Sequence, residues 1–271
     1  MPRLNEEFLA AAPRLRAVFY AAGSVKGFAT PESYQRGILI SSAWQANAIP
    51  VAEYALATIL LGLKGFWNNQ RLSRTGQYNH HQANVAGAFR SNVGLVSLGA
   101  IGKLVVGHLA KHEVNILAYD PYANAATAAS LGVTLVSLEE LFAKSHVVSL
   151  HAPWLPETEK MINAPLLRSM PAEATLINTS RGAVIDEADL CKVLAERTDL
   201  TAVLDVTHPE PPLPDSPLRT LPNVVLTPHI AGSMGGEIAR MGCWMKSELE
   251  RYLDGKPLQY AVSEDMLATM A

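Results

Sequence analysis

Cysteine is scarce: two residues, Cys191 and Cys243, in a chain of 271. Two thiols alone indicate no disulfide framework and no cysteine metal site, and they suit a reducing, cytoplasmic setting. Charge is also sparse at 17%, with 22 Lys and Arg against 25 Asp and Glu, a formal net charge of −3 and a pI near 6.2. That balance argues against a nucleic-acid surface or a surface for anionic membranes. Long apolar runs are missing too. The longest, Tyr54–Leu63, is too short to span a bilayer and begins beside Glu53, so it reads as part of a buried helix. The opening Met-Pro-Arg-Leu-Asn-Glu-Glu lacks the basic start and apolar core of a signal peptide. No internal repeat, low-complexity tract or long charge block interrupts the chain. What is present, 49% apolar residues, is ordinary for a globular enzyme of one large or two modest domains.

The first part of the chain predicts a helix over 3–12 stopped by Pro13, a strand at Ala17–Tyr20, and a turn at Ala22-Gly23-Ser24. Tyr34–Ile40 reads as a helix end with a glycine stop at Gly37, leading into a strand. Residues 49–70 read as one long helix, with Pro50 in its first turn. The polar segment Leu72–Phe89 gives no clear pattern. Its His80-His81 pair has no acidic or cysteine partner nearby, so it reads as solvated loop and not as metal ligands.

From Ser91 the character changes. Strand-like runs at Val93–Leu98, 115–119, 134–136, 147–150, 175–177, 202–204 and 224–226 alternate with helical ones at 100–112, 125–131, 138–144, 164–170 and 187–196. Such alternation predicts βα units and a mostly parallel sheet, a Rossmann-type doubly wound α/β fold. A last helix, 236–254, stops at Gly255.

Three polar residues follow apolar runs in the second half: Arg181 in Ile-Asn-Thr-Ser-Arg-Gly, Glu210 in Leu-Asp-Val-Thr-His-Pro-Glu-Pro, and His229 in Leu-Thr-Pro-His-Ile-Ala-Gly. Each alone is an ordinary loop residue. Three in order, each just beyond a strand, are expected to gather in the crevice at the carboxyl edge of a parallel sheet. Together they suit reduction of a 2-oxo acid. Arginine grips a carboxylate by two parallel hydrogen bonds, histidine moves a proton, and an adjacent carboxylate favours the protonated ring.

The run Ser97-Leu98-Gly99-Ala100-Ile101-Gly102 ends a strand and opens a helix, nearly at the spacing of the dinucleotide-binding fingerprint. Gly99 would let the backbone approach a pyrophosphate, Gly102 would let helix and strand pack closely, and free amides at Ala100 and Ile101 would bind phosphate. Ser97 departs from the pattern, occupying the first glycine position. Asp120, 18 residues beyond Gly102 at the end of the next strand, stands where an acid binds the adenosine ribose. A carboxylate there repels a 2′-phosphate, so the cofactor expected is NAD and not NADP.

These segments, with Ala46-Asn-Ala-Ile-Pro-Val-Ala-Glu-Tyr-Ala55, Ser149-Leu-His-Ala-Pro153 and the 19-residue spacing of Glu210 and His229, resemble the D-isomer-specific 2-hydroxyacid dehydrogenases from about Arg14 to Pro257. The resemblance implies NAD-dependent hydride transfer to or from a small D-2-hydroxy acid. It implies His229 as general acid and base, Glu210 as its partner, and Arg181 on the substrate carboxylate, shared with backbone amides at Gly23, Ser24 and Val25. Asp205 would sit near the nicotinamide, with Ala152, Pro153 and Ser180 also along the cofactor. The helix at 49–70 and the segment after it would pair two copies as a homodimer. The implied division is a partial substrate domain at 1–90, an NAD-binding domain at 91–233, and a C-terminal helix at 234–271 returning to the first. Relatives open with further βα units, so the expectation is a truncated, flavodoxin-like substrate domain. An incomplete start, a covering partner strand or a decayed enzyme would each account for it. Lys26-Gly27 also departs from the Asp-Asn common in relatives. The rival to an enzyme is an NAD(H)-binding interaction protein of corepressor type on the same scaffold.

Overall fold

The alternation after Ser91 builds a sheet of seven parallel strands. The computed structural model describes residues 1–76 and 85–270. The predicted histidine pair, His80-His81, lies outside the described residues. Two compact units result, 1–50 together with 232–271, and 51–231.

The elements, in chain order, begin with α1 (Glu6–Ala11), β1 (Ala17–Tyr20), α2 (Pro31–Gln35), β2 (Leu39–Ser42), α3 (Trp44–Leu63) and α4 (Phe66–Arg74). They continue with β3 (Asn92–Val96), α5 (Ala100–Leu109), β4 (Asn115–Tyr119), α6 (Ala125–Leu131), β5 (Thr134–Leu135), α7 (Leu138–Lys144) and β6 (Val147–Leu150). The chain closes with α8 (Ala164–Ser169), β7 (Thr175–Asn178), α9 (Glu187–Glu196), β8 (Thr201–Leu204), β9 (Val224–Leu226) and α10 (Gly236–Leu253).

In the larger unit the strand order is β5-β4-β3-β6-β7-β8-β9, every pair parallel. The chain moves outward from β3 to β5, then returns to lay β6 on the other side of β3. The carboxyl ends of β3 and β6 therefore form a switch point, where ligands of such sheets bind. Strands buried on both faces carry near-continuous apolar sequence. One face, with Val148, Leu150, Leu176 and Leu204, packs with Phe142, Leu167 and Val193 of α7, α8 and α9. The other, with Val93, Leu95, Val147, Ile177 and Val203, packs with Ala52, Ala55, Ile59 and Leu63 of α3 and Val105 and Leu109 of α5. Side-chain caps start α6, α7 and α9: Asn124 accepts from Thr127 N at 2.9 Å, Ser137 from Glu140 N at 3.1 Å, and Asp186 from Ala188 N at 3.1 Å.

The helix expected over 49–70 is two helices. α3 begins six residues earlier than Pro50, which sits inside it, and it ends before Gly65, whose φ of 59° turns the chain left-handed into α4. Glycine takes that conformation without a Cβ penalty, which is why the break falls there. By length and composition α3 is apolar enough to cross a membrane, yet from Ala52 onward its apolar face is buried in the core of the larger unit. The first compact unit ends at Pro50 and resumes at Gly232.

In the smaller unit β1 and β2 pair in parallel, Ala17 with Leu39 through Tyr20 with Ser42, and α10 packs against both. Glu248 of α10 has no exposed surface and accepts three hydrogen bonds, from Ser41 Oγ at 2.8 Å and from the Gln259 and Tyr260 amides at 2.9 Å. Glu248→Ala removes the acceptor shared by three donors, one of which, Ser41 Oγ, is fully buried. It should cost about 3 kcal/mol in denaturant unfolding. An unchanged midpoint would show that Glu248 does not hold the segment after α10.

Candidate functional site

The turn after β3 is left-handed at Ser97, with φ 81°. This is the conformation that favours the glycine expected at that position, and serine adopts it at a cost of about 1 kcal/mol. The turn is tied down by Ser97 N donating to Tyr119 O at 2.8 Å and Leu98 N to Asp120 Oδ2 at 2.7 Å. A Cβ on Gly102 would lie 2.2 Å from Ser97 O, so close packing of helix on strand demands glycine. A Cβ on Gly99 would meet nothing nearer than Ser97 Oγ at 3.7 Å. Gly99 leaves open space in front of the start of α5, which has no side-chain cap. Amides there, with the helix dipole, suit an anion. A pyrophosphate fits this cradle. Asp120 spends one oxygen on the turn and the other on Tyr122 N at 2.8 Å, leaving lone pairs for a ribose hydroxyl.

Beyond β8, Asp205 is 1% exposed and its carboxylate is taken up by the loop after β9. It accepts from Thr227 Oγ1 at 2.6 Å and from the Ile230 and Ala231 amides at 2.8 Å, while its carbonyl accepts from His229 N at 3.0 Å. The residue expected beside the nicotinamide is thus placed as the anchor of the histidine loop. His229, with φ 57°, bulges from that anchor and brings Nδ1 to 2.6 Å from Glu210 Oε1. Both side chains remain accessible, at 50% and 42%.

Arg181 follows β7. Its Nη1 donates to Ser180 O at 2.7 Å, and Asn178 Nδ2 donates to Arg181 O at 3.0 Å. Burial lowers the guanidinium pKa from its usual value, while the charge of Glu210 pulls it back up. Arg181 and Glu210 are therefore in electrostatic reach. Gly182 explains how. A Cβ there would lie 2.0 Å from the carbonyl carbon of Thr207, so the loops after β7 and β8 touch backbone to backbone.

Ala152 is buried just beyond β6, and Ser180 is buried with Oγ on Asn178 Oδ1 at 2.8 Å. Pro153 O accepts from Thr158 Oγ1 at 2.6 Å. Gly23, Ser24 and Val25 belong to the smaller unit, beyond the carboxyl end of β1, and the Val25 side chain is fully buried in that unit's core. Among the described residues no cluster of three His, Cys, Asp or Glu side chains is placed to hold a metal.

Two features escaped the reading of residues. His151 follows β6 buried, and burial drops its pKa to about 4, so it stays neutral. Trp154 meets His208 edge to face, ring centroids 5.0 Å apart.

Residues 56–231 match the family described as D-isomer specific 2-hydroxyacid dehydrogenase, NAD binding domain. The chain belongs to that family. A D-3-phosphoglycerate dehydrogenase of Archaeoglobus fulgidus is 31% identical over 96% of this chain and 50% of its own length. A glyoxylate reductase of Korarchaeum cryptofilum is 32% identical over 97% of this chain and 81% of its own. The chain thus spans about half the length of the phosphoglycerate dehydrogenases it matches. Among solved structures, the D-mandelate dehydrogenase of Rhodotorula graminis superposes with a TM-score of 0.76 at 28% identity, covering 92% of this chain and 75% of that one. The matched NAD-binding region coincides with the larger unit, and its cofactor is NAD. The cradle at Gly99 and the pair His229–Glu210 stand at the carboxyl edge of one sheet, on either side of the switch point.

Proposed function

We propose that the protein is an NAD-dependent reductase of a small 2-oxo acid to the D-2-hydroxy acid, and the reverse dehydrogenase. The observation that carries this reading is the 2.6 Å contact of His229 Nδ1 with Glu210 Oε1, on a loop anchored by Asp205. With Nδ1 engaged, Nε2 is the nitrogen left to give the carbonyl oxygen its proton and to take it back in oxidation. Glu210, hydrogen-bonded to Nδ1, holds the ring in place. Arg181 grips the substrate carboxylate and leaves the carbonyl polarised beside His229. Gly99 to Gly102, Asp120, Ala152, Pro153 and Ser180 would hold the dinucleotide, which supplies the hydride when bound. Asp120 favours NAD over NADP by repelling a 2′-phosphate. A second copy of the chain is the proposed partner, in a homodimer.

Steady-state oxidation of NADH with glyoxylate and hydroxypyruvate tests the reading directly. Turnover is expected; a protein that binds NADH and reduces no 2-oxo acid would overturn it. Arg181→Lys should raise KM for the acid about tenfold or more, because an ammonium cannot make the paired contact. An unchanged KM would remove Arg181 from the substrate site.

A further inference from the structure

Glu210 must hold still to orient His229, yet it stands on an exposed stretch, His208 to Pro211. Behind it Thr207 Oγ1 donates to Pro209 O at 2.8 Å, which shapes the backbone but does not reach the carboxylate. The side chain nearest in sequence with a partner outside its own loop is His208, and that partner is Trp154. The rings meet at 65°, the edge-to-face arrangement in which a positive edge points at a negative face.

Trp154 is itself pinned. Its Nε1 donates to Glu159 Oε2 at 3.1 Å, and its loop is closed by Leu155 N on Thr158 Oγ1 at 2.9 Å and Thr158 Oγ1 on Pro153 O at 2.6 Å. The contact joins loops from β6 and β8, strands separated by β7. Strands two apart stand about 10 Å from each other, so this pair bridges the edge that carries Arg181. An indole left 44% exposed gives up burial that a core tryptophan would gain, and so packing alone does not account for its place.

We propose that Trp154 is a positioning residue for the acid–base pair, acting through His208 to hold Glu210 against His229. The inference rests on the proposed reductase function. The charged and titratable groups placed around the pair in this unit are Arg181, Asp205, His208 and, on the indole nitrogen, Glu159. None of the others contacts the Glu210 carboxylate through a hydrogen bond among the described residues.

The test is a cycle of variants assayed for kcat and KM in 2-oxo acid reduction. Trp154→Ala should lower kcat about three- to tenfold, the worth of one aromatic pair, and leave KM for NADH unchanged. Trp154→Phe keeps a ring and should restore most of kcat. His208→Ala removes the same contact from the other side. It should reproduce the effect, and the double variant should be no worse than either. In a Glu210→Gln background Trp154→Ala should cost nothing further. An equal loss in that background, or no loss in the parent, overturns the proposal. If the parent enzyme reduces no 2-oxo acid, the function itself fails, and the crystal structure of His208→Ala still decides the positioning role. Glu210 displaced from Nδ1 of His229 supports it; the 2.6 Å contact retained overturns it.

Discussion

His229→Asn lowers kcat for 2-oxo acid reduction by about two to four orders of magnitude, the usual contribution of a positioned general acid, while NADH still binds. Asparagine is the informative replacement. His229 has φ 57°, and asparagine tolerates that left-handed backbone where alanine would add strain of about 1 kcal/mol. The loop itself is held by Asp205 through backbone amides at 2.8 Å, which the substitution leaves in place. The loss therefore reports proton transfer and not collapse. Steady-state kinetics with a fluorescence titration of NADH separate the two. A variant with the parent kcat would show that the proton comes from elsewhere.

Gly182→Ala produces the largest structural effect. The added methyl would stand 2.0 Å from Thr207 C, 2.2 Å from Thr207 O and 2.5 Å from His208 N. All three are backbone atoms, so no side chain can swing aside, and the loops after β7 and β8 must part. Overpacking of this kind costs about 3 kcal/mol, and it carries Arg181 away from Glu210. Thermal unfolding should fall by several degrees and kcat/KM by about a hundredfold or more. Gly99→Ala is the control: its Cβ has room within the protein, the nearest atom lying at 3.7 Å, so it folds normally and weakens NADH binding instead. Equal behaviour of the two variants would contradict this division between a packing glycine and a ligand-facing one.

Much of the larger unit was legible because its central strands are buried on both faces and α6 to α9 start at side-chain caps. Asn115–Tyr119, Val147–Leu150 and Val224–Leu226 fall where the apolar runs fall. α3 was misjudged at both ends, for one reason at each. Proline commonly stands in the first turn, but here the helix had already begun at Trp44; and Gly65, read as one more helical residue, is left-handed. The triad of Arg181, Glu210 and His229 could be read from residue type and strand exits. Its support could not. Gly182 drew notice only as the neighbour of Arg181, because the approach of two backbones leaves no sign in either segment alone. Asp205 was expected along the cofactor, and its three bonds to Thr227, Ile230 and Ala231, which anchor the histidine loop, left no sign in the sequence. Trp154 and His208 lie on loops distant in sequence, and a ring contact between such loops has no local pattern.

Chiral analysis of the product formed from hydroxypyruvate and NADH tests the central claim most directly. A proton from His229 Nε2 and a hydride delivered across the same crevice predict one product, the D-2-hydroxy acid, in one-to-one ratio with NADH consumed. The L-isomer, a racemate, or NADH bound without product would contradict the account.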